Sequence, residues 1–136
     1  MSFYKTLLLS FFVLVSYNLH AQTATGNYEN ITTTAAQLLI DQGSTDERFS
    51  LLDVRTESEY QASHIQGSQN LDFRSENFTQ QLAALDKQKT YVVYCRSGSR
   101  SGKTLDIMKK LGFKQAYNMQ GGIEQWQDQS LPLLPN

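Results

Sequence analysis

Cysteine occurs once in the 136 residues, at Cys95, inside the run Tyr91-Val92-Val93-Tyr94-Cys95-Arg96-Ser97-Gly98-Ser99-Arg100-Ser101. A thiolate is a strong nucleophile, and its availability at neutral pH depends on what surrounds it. Two fixed cations, Arg96 and Arg100, and a string of small residues, Ser97, Gly98, Ser99 and Ser101, follow the thiol directly. Small residues let a loop curl until successive backbone N–H groups point inward, and such a nest binds anions without any particular side chain. Arginine can add a bidentate grip on an oxyanion that lysine cannot. The spacing therefore predicts Cys95 as nucleophile, the loop amides as an anion cradle, and Arg96 and Arg100 as anion recruiters. Gly98 belongs to the cradle because it lacks a side chain, so a bulky residue there is expected to harm the site.

The elements around this loop must aim it. Tyr91 to Tyr94 is a β-favouring run that delivers the thiol to a strand's carboxyl end, and Ser101 to Leu111 follows with Leu105, Met108 and Leu111 on one helical face. Gly112 is the expected stop of that helix. A helix N-terminus beside a thiol favours the thiolate and any anion next to it. Upstream, Ile31 to Thr34 reads as a short strand or cap, with Thr33 or Thr34 opening a helix through Leu38-Leu39-Ile40 to Gly43. Phe49 to Val54 reads as a strand covered on both faces. Thr56 and Glu59 stand at capping-box spacing at the head of a short helix ending near Ala62. A brief strand is expected near Asn70-Leu71-Asp72. Ser75 to Leu85 then spaces Phe78, Leu82 and Leu85 for a helix. Phe113 to Met119 supplies a last strand, and Gly121-Gly122 leads into a short helix carrying Ile123 and Trp126. Strands alternating with helices imply an α/β fold, a central, mostly parallel sheet with helices on both faces. Ligands in such sheets bind beyond the carboxyl ends of the strands, which is where Cys95 falls.

Composition narrows the function. The chain is 40% hydrophobic and 18% charged, with a formal net charge of -1, which fits one soluble domain. No basic field points to nucleic acid, and no lysine run points to an acidic membrane. One cysteine and two histidines, one of them in the N-terminal segment, cannot make a metal set, and no cofactor is expected.

At the N-terminus, Lys5 precedes the apolar run Leu7 to Val15, and Leu19-His20-Ala21 ends the segment. This pattern reads as a secretory signal peptide, residues 1–21, cut after Ala21. The run is well short of the roughly 20 residues that a spanning helix needs, so no stable membrane insertion is expected after cleavage. Residues 22–30 are polar and read as a loose leader, and 31–136 as the domain. The expected product is exported, periplasmic and monomeric. A single cysteine in an exported chain has no internal partner, which points to a free reactive thiol.

Asp53, Arg55, Glu59 and His64 resemble an acid–base set, but support is the reading their positions favour. Arg55 and Glu59, four apart at a helix start, are expected to pair with each other. Asp53 at a strand end is placed to hydrogen-bond loop amides, and His64 falls to the same supporting set.

The motifs Leu51-Leu52-Asp53-Val54-Arg55, Glu59-Tyr60, His64-Ile65-Gln66-Gly67-Ser68-Gln69-Asn70, Cys95 to Ser101, and Gly121-Gly122-Ile123-Glu124-Gln125-Trp126 together resemble the rhodanese family of single-domain sulfurtransferases. The resemblance runs from about Ile31 to Trp126. Ser63 stands where the family usually has glycine, and Ser68 where it usually has alanine; neither lies in the loop. The resemblance implies that Cys95 attacks the outer sulfur of a donor such as thiosulfate and becomes a persulfide. A thiol or protein acceptor then takes that sulfur. Two rival readings remain. A cysteine phosphatase or arsenate reductase uses a loop one residue longer, with arginine six positions after the cysteine. Here that position is Ser101, and no aspartate in the loop can protonate a leaving group. A sulfur-carrier or binding module would keep the same residues with little turnover.

Overall fold

In the computed structural model residues 26–135 are described. The segment read as a signal peptide, and the first part of the leader, lie outside them. Five strands form one sheet in the order β1-β5-β4-β2-β3. They are β1 (Asn27–Ile31), β2 (Phe49–Asp53), β3 (Ser68–Asn70), β4 (Thr90–Tyr94) and β5 (Gln115–Met119), with helices α1 (Thr33–Gly43), α2 (Glu57–Ala62), α3 (Phe78–Ala83), α4 (Ser99–Leu111) and α5 (Gly122–Asp128) between and after them. Every pairing is parallel, as strand–helix alternation demands.

Alternation along the central strands sends side chains to two cores. Val93, Leu52 and Ala116 bury with Phe78, Leu82, Leu105 and Met108 on the side covered by α3 and α4. Val92, Tyr94, Leu51 and Met119 bury with Ala36, Ile40, Ile123 and Trp126 under α1 and α5. Each such aliphatic side chain removed from water contributes about 1.5–3 kcal/mol, so burying β4 on both faces holds the strand that carries Cys95 rigidly.

Several boundaries differ from expectation: β3 ends at Asn70 instead of running through Leu71 and Asp72, and α3 covers only Phe78–Ala83 of the expected Ser75 to Leu85. Asn27–Ile31, expected mostly as leader, is an edge strand in register with Gln115 to Met119 of β5. Its residues are exposed or half-buried, so backbone pairing rather than a hydrophobic pattern puts it there. Helix α1 opens at Thr33 as expected, and Thr32 caps it, its hydroxyl accepting from the Ala35 amide at 3.1 Å. The capping box at α2 forms as its spacing requires: Thr56 Oγ1 accepts from the Glu59 amide, and Glu59 Oε2 accepts from the Thr56 amide at 3.0 Å. No helix of the described residues is long and apolar enough to cross a membrane.

Candidate active site

The loop after β4 is short. Gly98 is already the N-cap of α4, so Ser99, Arg100 and Ser101 form the helix's first turn. Gly98 takes φ +99°, and a Cβ there would stand 3.2 Å from the Gly121 amide nitrogen. Both facts require glycine. The carbonyls of the loop turn the other way. Cys95 O accepts from the Ile123 amide at 2.9 Å and Arg96 O from the Glu124 amide at 3.1 Å. The N-terminus of α5 thus takes up the loop's acceptors, and Gly122 permits the approach because a Cβ there would collide with both carbonyls. What remains on the inner side of the loop is a set of donors.

Those donors surround the sulfur. The Gly98 amide donates to Cys95 Sγ at 3.2 Å and the Ser101 hydroxyl at 3.3 Å. Cys95 is 1% exposed. Burial pushes the thiol up, but the hydrogen bonds from the Ser101 hydroxyl and from the Ser101, Gly98 and Ser97 amides outweigh it, and the thiol lies below its ordinary value. Of the small residues expected to form the nest, Ser97, Gly98, Ser99 and Ser101, the structure brings the Gly98 amide and the Ser101 hydroxyl into hydrogen-bond contact with the sulfur.

The arginines are placed differently. Arg100 does not face the sulfur with a free fork: its two terminal nitrogens donate to Glu59 Oε2 at 2.8 Å and Oε1 at 2.9 Å. Arg96 is exposed and donates from Nε to Glu124 Oε1 at 2.6 Å. The fork of Arg100 is thus occupied by Glu59, whereas Arg96 uses only its Nε and stays exposed, and no described hydrogen bond joins Arg96 or Ser99 to Sγ. The expected Arg55–Glu59 pair is likewise replaced. Arg55 precedes the Thr56 cap, so it lies off the helix face that Glu59 occupies. It folds back onto Asp53 (Nη2 to Oδ2, 2.7 Å) and the Ser63 carbonyl (2.7 Å) instead. Burial pushes the Arg55 guanidinium down, and the hydrogen bonds to Asp53 outweigh it. Glu59 is held down at about 2, chiefly by the hydrogen bonds from Arg100.

Asp53 meets its expectation in part: Oδ1 accepts from the Arg55 amide at 2.9 Å. His64 fixes a turn, its Nδ1 lying 2.9 Å from the Tyr60 carbonyl and its ring stacked on Tyr60. Ser63 has φ -167°, extended backbone open to any residue. Ser68 is used rather than merely tolerated. Its hydroxyl donates to the Ile65 carbonyl at 2.7 Å and accepts from the Tyr94 hydroxyl at 3.0 Å. The residue missed from the sequence is Asn118 of β5, which donates to the Gly98 carbonyl at 3.2 Å. A polar residue buried in a strand was its one available signal.

A cleft of about 470 Å³ opens among Ile40, Phe49, Ile65 and Trp126, at the opposite end of the sheet. Its lining contains no group placed for nucleophilic chemistry, so donor geometry rather than volume locates the site. Among the described residues no cluster of three histidine, cysteine or acidic groups could hold a metal.

The model of the Rhodanese-like domain matches residues 32–129. The probable adenylyltransferase/sulfurtransferase MoeZ of Mycobacterium tuberculosis is 37% identical over 112 residues, 82% of this chain, and the chain spans 27% of that protein. The thiosulfate sulfurtransferase PspE of Escherichia coli is 33% identical over 73 residues, 54% of this chain and 69% of its own length. The crystal structure of a rhodanese-related protein from Thermoplasma volcanium superposes with a TM-score of 0.67 at 24% identity, covering 80% of this chain and 100% of the other, which supports the fold. The chain belongs to the rhodanese-like domain family, whose relatives matched here include proteins named as sulfurtransferases.

Proposed function

We propose that the protein is a sulfurtransferase that carries sulfane sulfur on Cys95, with thiosulfate as one donor. The observation that supports this most is a buried thiol whose pKa is lowered by neutral donors, at the carboxyl end of a central strand. The Cys95 thiolate attacks the outer sulfur of thiosulfate. The sulfur–sulfur bond of the donor breaks, sulfite leaves with the bonding pair, and Cys95 becomes a persulfide anion. An acceptor nucleophile then attacks the terminal sulfur and returns the thiolate, so no outside oxidant or reductant is needed. The Gly98 and Ser101 donors at Sγ support this reading, since they stabilise the thiolate that attacks and that is returned when the persulfide is discharged. A phosphatase would need an arginine fork open to the phosphate, whereas Arg100 is occupied by Glu59. The bidentate pairing of Arg100 with Glu59 favours, as a second reading, a carrier that holds sulfur and passes it on slowly.

Export and a monomeric, metal-free, cofactor-free state belong to the same proposal, with the N-terminal pattern as the ground for export. Steady-state thiocyanate formation from thiosulfate and cyanide tests the activity. Turnover by wild type and none by Cys95→Ser is expected. No turnover by wild type, while its thiol alkylates normally, would remove thiosulfate as donor. Mercaptopyruvate and polysulfide would then be tried. A persulfide that forms but discharges slowly would favour the carrier.

A further inference from the structure

Asn118 is 4% exposed in the sheet, and its carbonyl oxygen Oδ1 has no hydrogen-bond partner among the described residues. Burying a polar group in that condition costs about 1–3 kcal/mol. An apolar side chain of the same branched shape would avoid that cost, so packing does not explain the residue. Its amide nitrogen, in contrast, is fully used. Nδ2 donates to Asn30 Oδ1 at 2.8 Å and to the Gly98 carbonyl at 3.2 Å. The opposite amide orientation would set Oδ1 against the Gly98 carbonyl, which can only accept, so that contact fixes which end faces the loop.

The placement follows from register. Asn118 of β5 lies directly beside Asn30 of β1, so both side chains stand on the same face of the sheet. Ala116, two residues back on that face, packs in the α4-side core. The first turn of α4 comes close here because of Gly102, where a Cβ would stand 3.3 Å from Asn118 Nδ2. The Gly98 carbonyl therefore receives two donors, the Gly102 amide at 3.0 Å and Asn118 Nδ2 at 3.2 Å. With that carbonyl pinned, the left-handed backbone of Gly98 aims its own N–H at Cys95 Sγ, 3.2 Å away. One polar chain thus runs from the edge strand through β5 and the loop to the sulfur.

We infer that Asn118, braced by Asn30, is a positioning residue for Cys95, holding the Gly98 amide against its sulfur. The inference rests on Cys95 as the working thiol but not on any particular sulfur donor. Asn30 lies outside the family-matched residues 32–129, so this brace joins the N-terminal edge strand to the chemistry.

The test is the pH dependence of Cys95 alkylation by iodoacetamide in the full chain, beside thermal melting. Asn118→Leu keeps the branching at Cγ and the number of heavy atoms and removes the donor; Asn30→Ala removes only the brace at an exposed position. The charged groups around the sulfur stay as they are: Arg100 of α4 with Glu59 of α2, Arg96 of the loop with Glu124 of α5, and Arg55 with Asp53 at the end of β2. A folded Asn118→Leu is expected to alkylate about two- to fivefold more slowly at pH 6.5, the effect of one weakened hydrogen bond. Its rate should recover at high pH, with the midpoint displaced upward. Asn30→Ala should move the same way by less. A rate profile for Asn118→Leu that superimposes on wild type overturns the inference. Should that variant not fold, superposition of the Asn30→Ala profile overturns it equally. Because no sulfur donor is present, failure here is separate from failure of the sulfurtransferase reading.

Discussion

Burial alone would leave Cys95 protonated at neutral pH. The Ser101 hydroxyl and three loop amides reverse that outcome, so the thiolate depends on hydrogen bonding rather than on a bare cation. The sign is fixed by this balance. A depressed thiol pKa keeps the thiolate populated below the ordinary thiol range of about 8.5. Alkylation of wild type is therefore expected to stay fast below that range. Ser101→Ala should slow it about tenfold at pH 6.5, the loss of one hydrogen bond to a charged group. Equal rates would show that the hydroxyl does not support the thiolate. Cys95 and its amide cradle were legible in sequence because small residues after a strand and before a helix leave a loop few other geometries. The ion-pair partners of Arg96 and Arg100 were not, because Glu124 and Glu59 lie 28 and 41 residues away. A cation beside a thiol in sequence is free only if no carboxylate reaches it in space.

Among the elements, the short helix α2 connects two parts of the site. Glu59 closes the capping box with Thr56 and also holds Arg100 in the first turn of α4. Its carboxyl titrates at about 2 in the fold against an ordinary 4.5. A depressed carboxylate contributes stability that is complete above the unfolded value and is lost as pH falls through 4.5 toward 2. Glu59→Gln is expected to cost about 1–2 kcal/mol at pH 7, the pair being partly exposed. It should also flatten the decline of stability over that acid window, as read by urea unfolding at several pH values. A variant as stable as wild type at pH 7 and equally acid-sensitive would show that the contact contributes nothing. The capping box was legible because it is local. The partner of Arg55 was misread because helical spacing of four residues holds only inside a helix, and Arg55 precedes the cap.

At the scale of the whole molecule, the parallel sheet sets the carboxyl ends of its strands at one end and buries β4 on both faces. The alternation of apolar strands and amphipathic helices made that architecture legible. The edge strand was not legible, because Asn27-Tyr28-Glu29-Asn30-Ile31 carries no hydrophobic period and joins the sheet through backbone pairing with β5. A chain starting at Thr32 would leave the β5 edge unpaired, and a bare edge invites association. That truncation is expected to lower the melting temperature by several degrees and to promote aggregation, against a chain starting at Gln22. Identical melting and a monodisperse truncated chain would show that β1 is dispensable.

The most direct test of the central claim is the intact mass of the chain starting at Gln22 after reaction with thiosulfate, beside Cys95→Ser. Wild type is expected to gain the mass of one sulfur atom, to lose it as cyanide becomes thiocyanate, and the variant to gain none. Sulfur appearing on Cys95→Ser, or an unchanged wild-type mass with thiosulfate, mercaptopyruvate and polysulfide while the thiol still alkylates, would contradict it.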